Sequence, residues 1–114
     1  VGEEKTVLVF SEEVQEAADE IIIHFGATNQ LNKALEEANE YKYSLIQLRD
    51  FFSQHDCGTC DANCCAYSEQ IKPMIDETAD ILFTAFQVAK IIGLEKVIER
   101  IKFKAKRTIE RINA

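Results

Sequence analysis

Proline occurs once, at Pro73, and glycine only four times in 114 residues. Both interrupt helices, proline by removing a donor and crowding the preceding turn, glycine by its backbone entropy. Their scarcity beside abundant Glu, Lys, Ala, Ile and Leu predicts an all-α fold. Also missing is any apolar run near the roughly 20 residues of a membrane-spanning helix, so no membrane contact is expected. No basic stretch followed by an apolar one marks a secretory leader, and a cytoplasmic location is the expectation. Positive charge is in deficit: 13 Lys and Arg stand against 20 Asp and Glu, a net charge of −7. That balance argues against sequence-independent nucleic-acid binding, which needs a basic surface. What is present, 46% hydrophobic and 29% charged residues, is the make-up of a globular domain large enough for one modest core.

Residues 1–10 carry no clear period. Ser11 is a plausible N-cap, and Glu12 and Glu13 suit the positive end of a helix. Val14, Ala17, Ala18, Ile21, Ile22 and Phe25 recur at helical spacing and Gly26 is a good stop, which places a first helix at about 12–25. Thr28 or Asn29 can cap a second, at about 29–53. Ser68 can cap a third, at about 69–92, ended by Gly93; Pro73 is tolerable only if that start is close, and otherwise the helix begins at 73. Leu94, Val97, Ile98, Ile101, Ala105, Ile109 and Ile112 give a final amphipathic helix over 94–112. The expectation is a single four-helix bundle over 1–114, with a cysteine-rich loop at about 54–68.

Two acidic phrases organise this layout, Glu37-Ala38-Asn39-Glu40 and Glu77-Thr78-Ala79-Asp80. Positions three apart lie on nearly one helix face, so each phrase sets two carboxylates side by side. On the second helix Leu31, Ala34, Leu35, Ala38, Leu45, Leu48 and Phe52 form an apolar stripe, with Glu37 at its edge and Glu40 just beyond. On the third, Met74, Ile75, Thr78, Ile81, Leu82, Ala85, Ala89 and Ile92 form another, flanked by Glu77 and Asp80. If the stripes pack together, four carboxylates converge and raise one another's pKa. A hard divalent cation, Mg²⁺ or Mn²⁺, resolves the conflict because it prefers oxygen ligands.

The paired phrases, the run His24-Phe25-Gly26-Ala27-Thr28-Asn29-Gln30-Leu31-Asn32-Lys33-Ala34-Leu35-Glu36-Glu37 and the basic ending around Lys102, Lys104, Lys106, Arg107 and Arg111 resemble the MazG-like family of all-α nucleoside triphosphate pyrophosphohydrolases, in its short, phage-type form. The likeness covers roughly residues 20–112. It implies a MazG-like bundle that cleaves an NTP or dNTP to the monophosphate and pyrophosphate, for nucleotide pool clean-up or control. Mg²⁺ or Mn²⁺ would be held by Glu37, Glu40, Glu77 and Asp80. Glu36 and Glu37 would be the catalytic candidates, with Lys33, Gln87, Lys104 and Arg107 toward the substrate. The family also implies a homodimer or homotetramer.

The loop departs from that pattern. Thirty-six residues separate Glu40 from Glu77, and all four cysteines lie among them as C-x2-C-x3-C-C: Cys57, Cys60, Cys64 and Cys65, with His55 two positions ahead. Thiolate and imidazole donors at this spacing suit Zn²⁺, although adjacent Cys64 and Cys65 rarely ligate one ion comfortably. A metal knuckle, disulfides within the loop and free thiols all remain open. Tyr41 and Tyr43 are read as packing or rim residues, with stacking on a nucleobase as the functional alternative. Glu16 and Asp19, a third acidic pair, are read as a solvated face. A ferritin-like di-iron bundle wants Glu-x-x-His on two helices, and neither His24 nor His55 supplies one. The rival from another class is a non-catalytic helical interaction module, stabilised by the cysteine loop, in which the carboxylates are dispensable.

Overall fold

A computed structural model describes residues 10–54 and 71–114, and these fall into four helices with no strand among them. The helices are α1 (Glu12–Phe25), α2 (Ala27–Gln54), α3 (Lys72–Ile92) and α4 (Leu94–Ile112). Ser11 opens α1 as expected, its hydroxyl accepting from the Val14 amide at 3.3 Å. Phe10, just ahead of the cap, stacks on Phe86 of α3 with 4.3 Å between ring centroids, so the chain entering the first helix is pinned to the third.

Two glycines make the sharp corners. Gly26 has φ +89° and Gly93 φ +127°, regions that side-chain-bearing residues rarely adopt. Their amides donate to the Ile22 and Ala89 carbonyls, each at 2.8 Å, closing the last turns of α1 and α3. The structure corrects the start of α2. It begins at Ala27, two residues before the expected position, directly after Gly26. Asn29 does not cap it; its side-chain amide donates backward to the Phe25 carbonyl at 2.7 Å, covering an acceptor left over at the end of α1. α3 begins at Lys72, with Pro73 in its first turn, where the missing N–H is harmless. The expected start at 69 and the Ser68 cap lie outside the described residues, as does the cysteine-rich loop.

α2 and α3 form the main packed pair; α1 lies against both, and α4 packs only against α3 among the described elements. The face that α2 turns inward differs from the expected apolar stripe. Gln30, Ala34, Glu37, Tyr41, Ser44 and Leu48 are buried or half-buried, whereas Leu31, Leu35, Ala38 and Leu45 are exposed. The Tyr41 hydroxyl bonds the Thr78 hydroxyl at 3.1 Å, so polar side chains help to set the α2–α3 contact. Glu37 consequently sits within the contact rather than at its rim. On α3 the stripe is split in the same way. Met74 and Ala89 are buried and Thr78 and Ile81 half-buried, while Ile75, Leu82, Ala85 and Ile92 face outward. No residue of α4 is buried.

Candidate metal centre

Because α2 turns Glu37 toward α3, and the i+3 spacing carries Glu40 to the same side, the two motif helices bring carboxylates together. Ligand oxygens of Glu37, Glu40 and Glu77 all lie within 4.8 Å of one another. Burial is graded across the three: Glu37 is buried, Glu77 half-buried and Glu40 exposed. Glu37 keeps only 7% of its surface. Its Oε2 is paired with the Lys33 ammonium at 3.2 Å, but among the described residues its Oε1 has no hydrogen-bond partner, and neither has the buried Oε1 of Glu77. Two carboxylate oxygens shielded from water and unmatched form a destabilising arrangement.

The electrostatics agree with that geometry. Burial raises the Glu77 carboxyl above the usual range, and the charges of Glu40, Asp80, Glu37 and Asp76 push it the same way. Lys33 is held above the usual lysine value, first by its hydrogen bond to Glu37 and then by that residue's charge. A hard divalent cation fits this donor set. Octahedral Mg²⁺ at about 2.1 Å from its ligands requires oxygens roughly 3–4 Å apart, a small side-chain adjustment from what is seen.

Asp80 is not part of the convergent trio. It lines an adjoining cleft of about 660 Å³ between α1, α2 and α3, together with Lys33, Glu36, Glu37 and Gln87. Glu36 is exposed and lies 4.0 Å from the Lys33 ammonium. Lys104 and Arg107 do not line the cleft. They sit on α4, which touches neither α1 nor α2 among the described residues. Lys104 is exposed, and the Arg107 guanidinium lies over the Phe103 ring at 5.3 Å. His55, Cys57, Cys60, Cys64 and Cys65 lie outside the described residues.

Several neighbours escaped sequence reasoning. Gln30 is buried and lines the cleft, and so does Phe83. Gln30 lies seven residues, two full turns, ahead of Glu37 and thus on its face, a signal obscured by the apolar stripe beside it. Thr84 is buried, its hydroxyl directed at the Asp80 and Ile81 carbonyls. Tyr41 is a packing residue bonded to Thr78, while Tyr43 is exposed. Glu16 and Asp19 are exposed, although Asp19 pairs with Lys90 at 3.1 Å. No described helix is long and apolar enough to cross a membrane. No family model, curated protein or solved structure matches the chain.

Proposed function

We propose that this chain is a Mg²⁺-dependent nucleoside triphosphate pyrophosphohydrolase of MazG-like type, cleaving an NTP or dNTP to the monophosphate and pyrophosphate. The observation that carries the reading is the convergence of Glu37, Glu40 and Glu77, in which one buried oxygen of Glu37 and one of Glu77 have no hydrogen-bond partner among the described residues. Acidic side chains exposed to water need no counter-ion, but one oxygen of each of these two is withheld from water and has no donor among the described residues. A bound divalent cation supplies neutralisation of phosphate charge and acidification of water. Glu37, Glu40 and Glu77 would hold it, and Asp80 would add negative charge near them. Glu36, exposed at the cleft, is the candidate base that would take a proton from the attacking water. Lys33 fixes Glu37 and adds positive charge on the substrate side.

Lys104 and Arg107 enter this scheme only from another copy, since their own helix lies away from the cleft. We therefore propose a homodimer or homotetramer, a reading supported by exposed Leu31, Leu35 and Leu45 on α2 and exposed Ile75 and Leu82 on α3. The same exposed apolar residues favour the alternative, a non-catalytic interaction module. Incubating the common ribo- and deoxyribonucleoside triphosphates with Mg²⁺ and assaying pyrophosphate separates the two. Glu77→Gln and Asp80→Asn should each abolish release, because the amide keeps the size but loses the charge. Glu16→Gln, the same change at an exposed position on α1, should retain it. Full turnover in both site variants, or no hydrolysis of any triphosphate by the parent, would leave the interaction module as the answer.

A further inference from the structure

From Glu99 to Ala114 every residue except Arg107 is exposed, and α4 packs only against α3 among the described elements. Ile101, Ala105, Ile109 and Ile112 recur every three or four positions in this stretch and so share one helix face. The three isoleucines are 59%, 56% and 71% exposed. By the same spacing Lys102 and Lys106 fall along one side of the row, and Lys104 and Arg111 along the other. None of these four cations makes an ion pair among the described residues. Phe103 lies on the side away from the row, where the Arg100 and Arg107 guanidiniums stand over its ring at 4.7 Å and 5.3 Å. Charge is divided to match. Residues 100–112 hold six of the 13 Lys and Arg but one of the 20 Asp and Glu, so this stretch carries +5 and the rest of the chain −12.

We propose that this face of α4 docks on an anionic lipid membrane, the helix lying along the surface with its isoleucine row toward the acyl chains and its lysines among the headgroup phosphates. Lying on a membrane does not require the long apolar run that crossing one does; it requires one apolar face bordered by cations. Other occupants satisfy half of the pattern. A nucleic-acid backbone would draw the cations and leave the isoleucines in water. A second α4 would cover the isoleucines and set lysine against lysine. An anionic bilayer takes up both. The same surface repels the −12 carried by the rest of the chain, so approach is steered through α4. The assembly proposed above draws on Lys104 and Arg107, and it leaves the isoleucine row, Lys102 and Lys106 without a task. This inference does not depend on the pyrophosphohydrolase reading.

The test is co-sedimentation of the full chain with vesicles of phosphatidylcholine alone and of phosphatidylcholine mixed with phosphatidylserine. The mixed vesicles should bind it roughly tenfold or more tightly, and added salt should release it, since the contacts at the surface are screened. Lys102→Glu with Lys106→Glu should weaken binding roughly tenfold or more, and so should Ile109→Glu with Ile112→Glu, which removes the apolar part alone. Circular dichroism checks that each variant keeps its helices; if the isoleucine variant does not, the parent and the lysine variant decide. The proposal is overturned if the parent binds neither vesicle or both equally, or if both double variants bind as the parent does. It is also overturned if vesicles go unbound while Ile109→Glu with Ile112→Glu lowers the mass seen by light scattering, for the row then belongs to another copy. Duplex DNA is the remaining arm: binding to it in place of vesicles, insensitive to the isoleucine substitutions, would make the helix a nucleic-acid contact instead.

Discussion

At the residue scale the telling contrast is between Glu37 and Glu16, two glutamates in acidic helices. Glu16 is exposed and needs no partner. Glu37 is buried with one oxygen paired and the other unmatched. Glu77 extends the contrast into a pH dependence. Its carboxyl lies above the usual range, first through burial and then through its acidic neighbours. A carboxyl whose folded pKa exceeds its unfolded value holds its proton more tightly when folded. Its favourable contribution is intact below the unfolded value, about 4.3, and disappears as pH rises through the folded value. Metal-free protein should therefore lose stability on this account as pH climbs through that window. Glu77→Gln should flatten the slope and melt no lower than the parent near neutrality. Thermal melts from pH 4 to 7 in EDTA check this, and identical slopes in the two proteins would refute it. Mg²⁺ should raise the Tm of the parent and not of the variant, because a ligand stabilises only the state it binds.

At the scale of elements, the corner at Gly93 turns α3 into α4 with φ +127° and its amide on the Ala89 carbonyl. A Cβ there would meet nothing within 4 Å, so the objection to a side chain is backbone strain alone. Gly93→Ala should lower stability by about 1–3 kcal/mol, measured by denaturant unfolding, with no change in helix content. A neutral result would mean that the α3–α4 corner relaxes to another geometry. α2 is the more unusual element, since it has two working faces. One, through Gln30, Glu37 and Tyr41, is turned toward the other helices; the other, through Leu31, Leu35 and Leu45, is exposed among the described residues. The apolar stripe visible in the sequence is real, but α2 does not spend it on α3.

At the scale of the whole molecule, burial is thin. Ala18, Met74, Phe86 and Ala89 are the buried apolar residues among those described, and no large side chain there is fully enclosed. The radius of gyration is 16.9 Å, against about 13 Å for a compact domain of this length. Leu35 is 64% exposed and Ile112 71%, and apolar rows left in water on several helices favour association. The parent should scatter light as a species heavier than its 13.0 kDa chain. Leu35→Glu with Leu45→Glu should shift it toward the monomer, while each chain keeps its helices. A parent that is monomeric at micromolar concentration would sink the assembly proposal.

Local chemistry was legible in the sequence wherever it acts within a few residues. Ser11 as a cap, Gly26 and Gly93 as stops and the 3.6-residue period place α1 and α4 at their observed limits, because caps and periodicity depend only on neighbours along the chain. The i+3 spacing likewise puts Glu37 and Glu40 on one side of α2. What no spacing could decide is the rotation of α2 about its axis. That depends on contacts from other helices, including the Tyr41–Thr78 bond across 37 positions, and it determines that Glu37 is buried and Leu35 is not. Convergence of Glu77 with Glu37 and Glu40, the displacement of Asp80 to the cleft wall and the burial of Gln87 follow from the same packing. A hydrophobic pattern shows which face of a helix seeks cover; only the tertiary structure decides which partner covers it, and whether that partner belongs to the same chain.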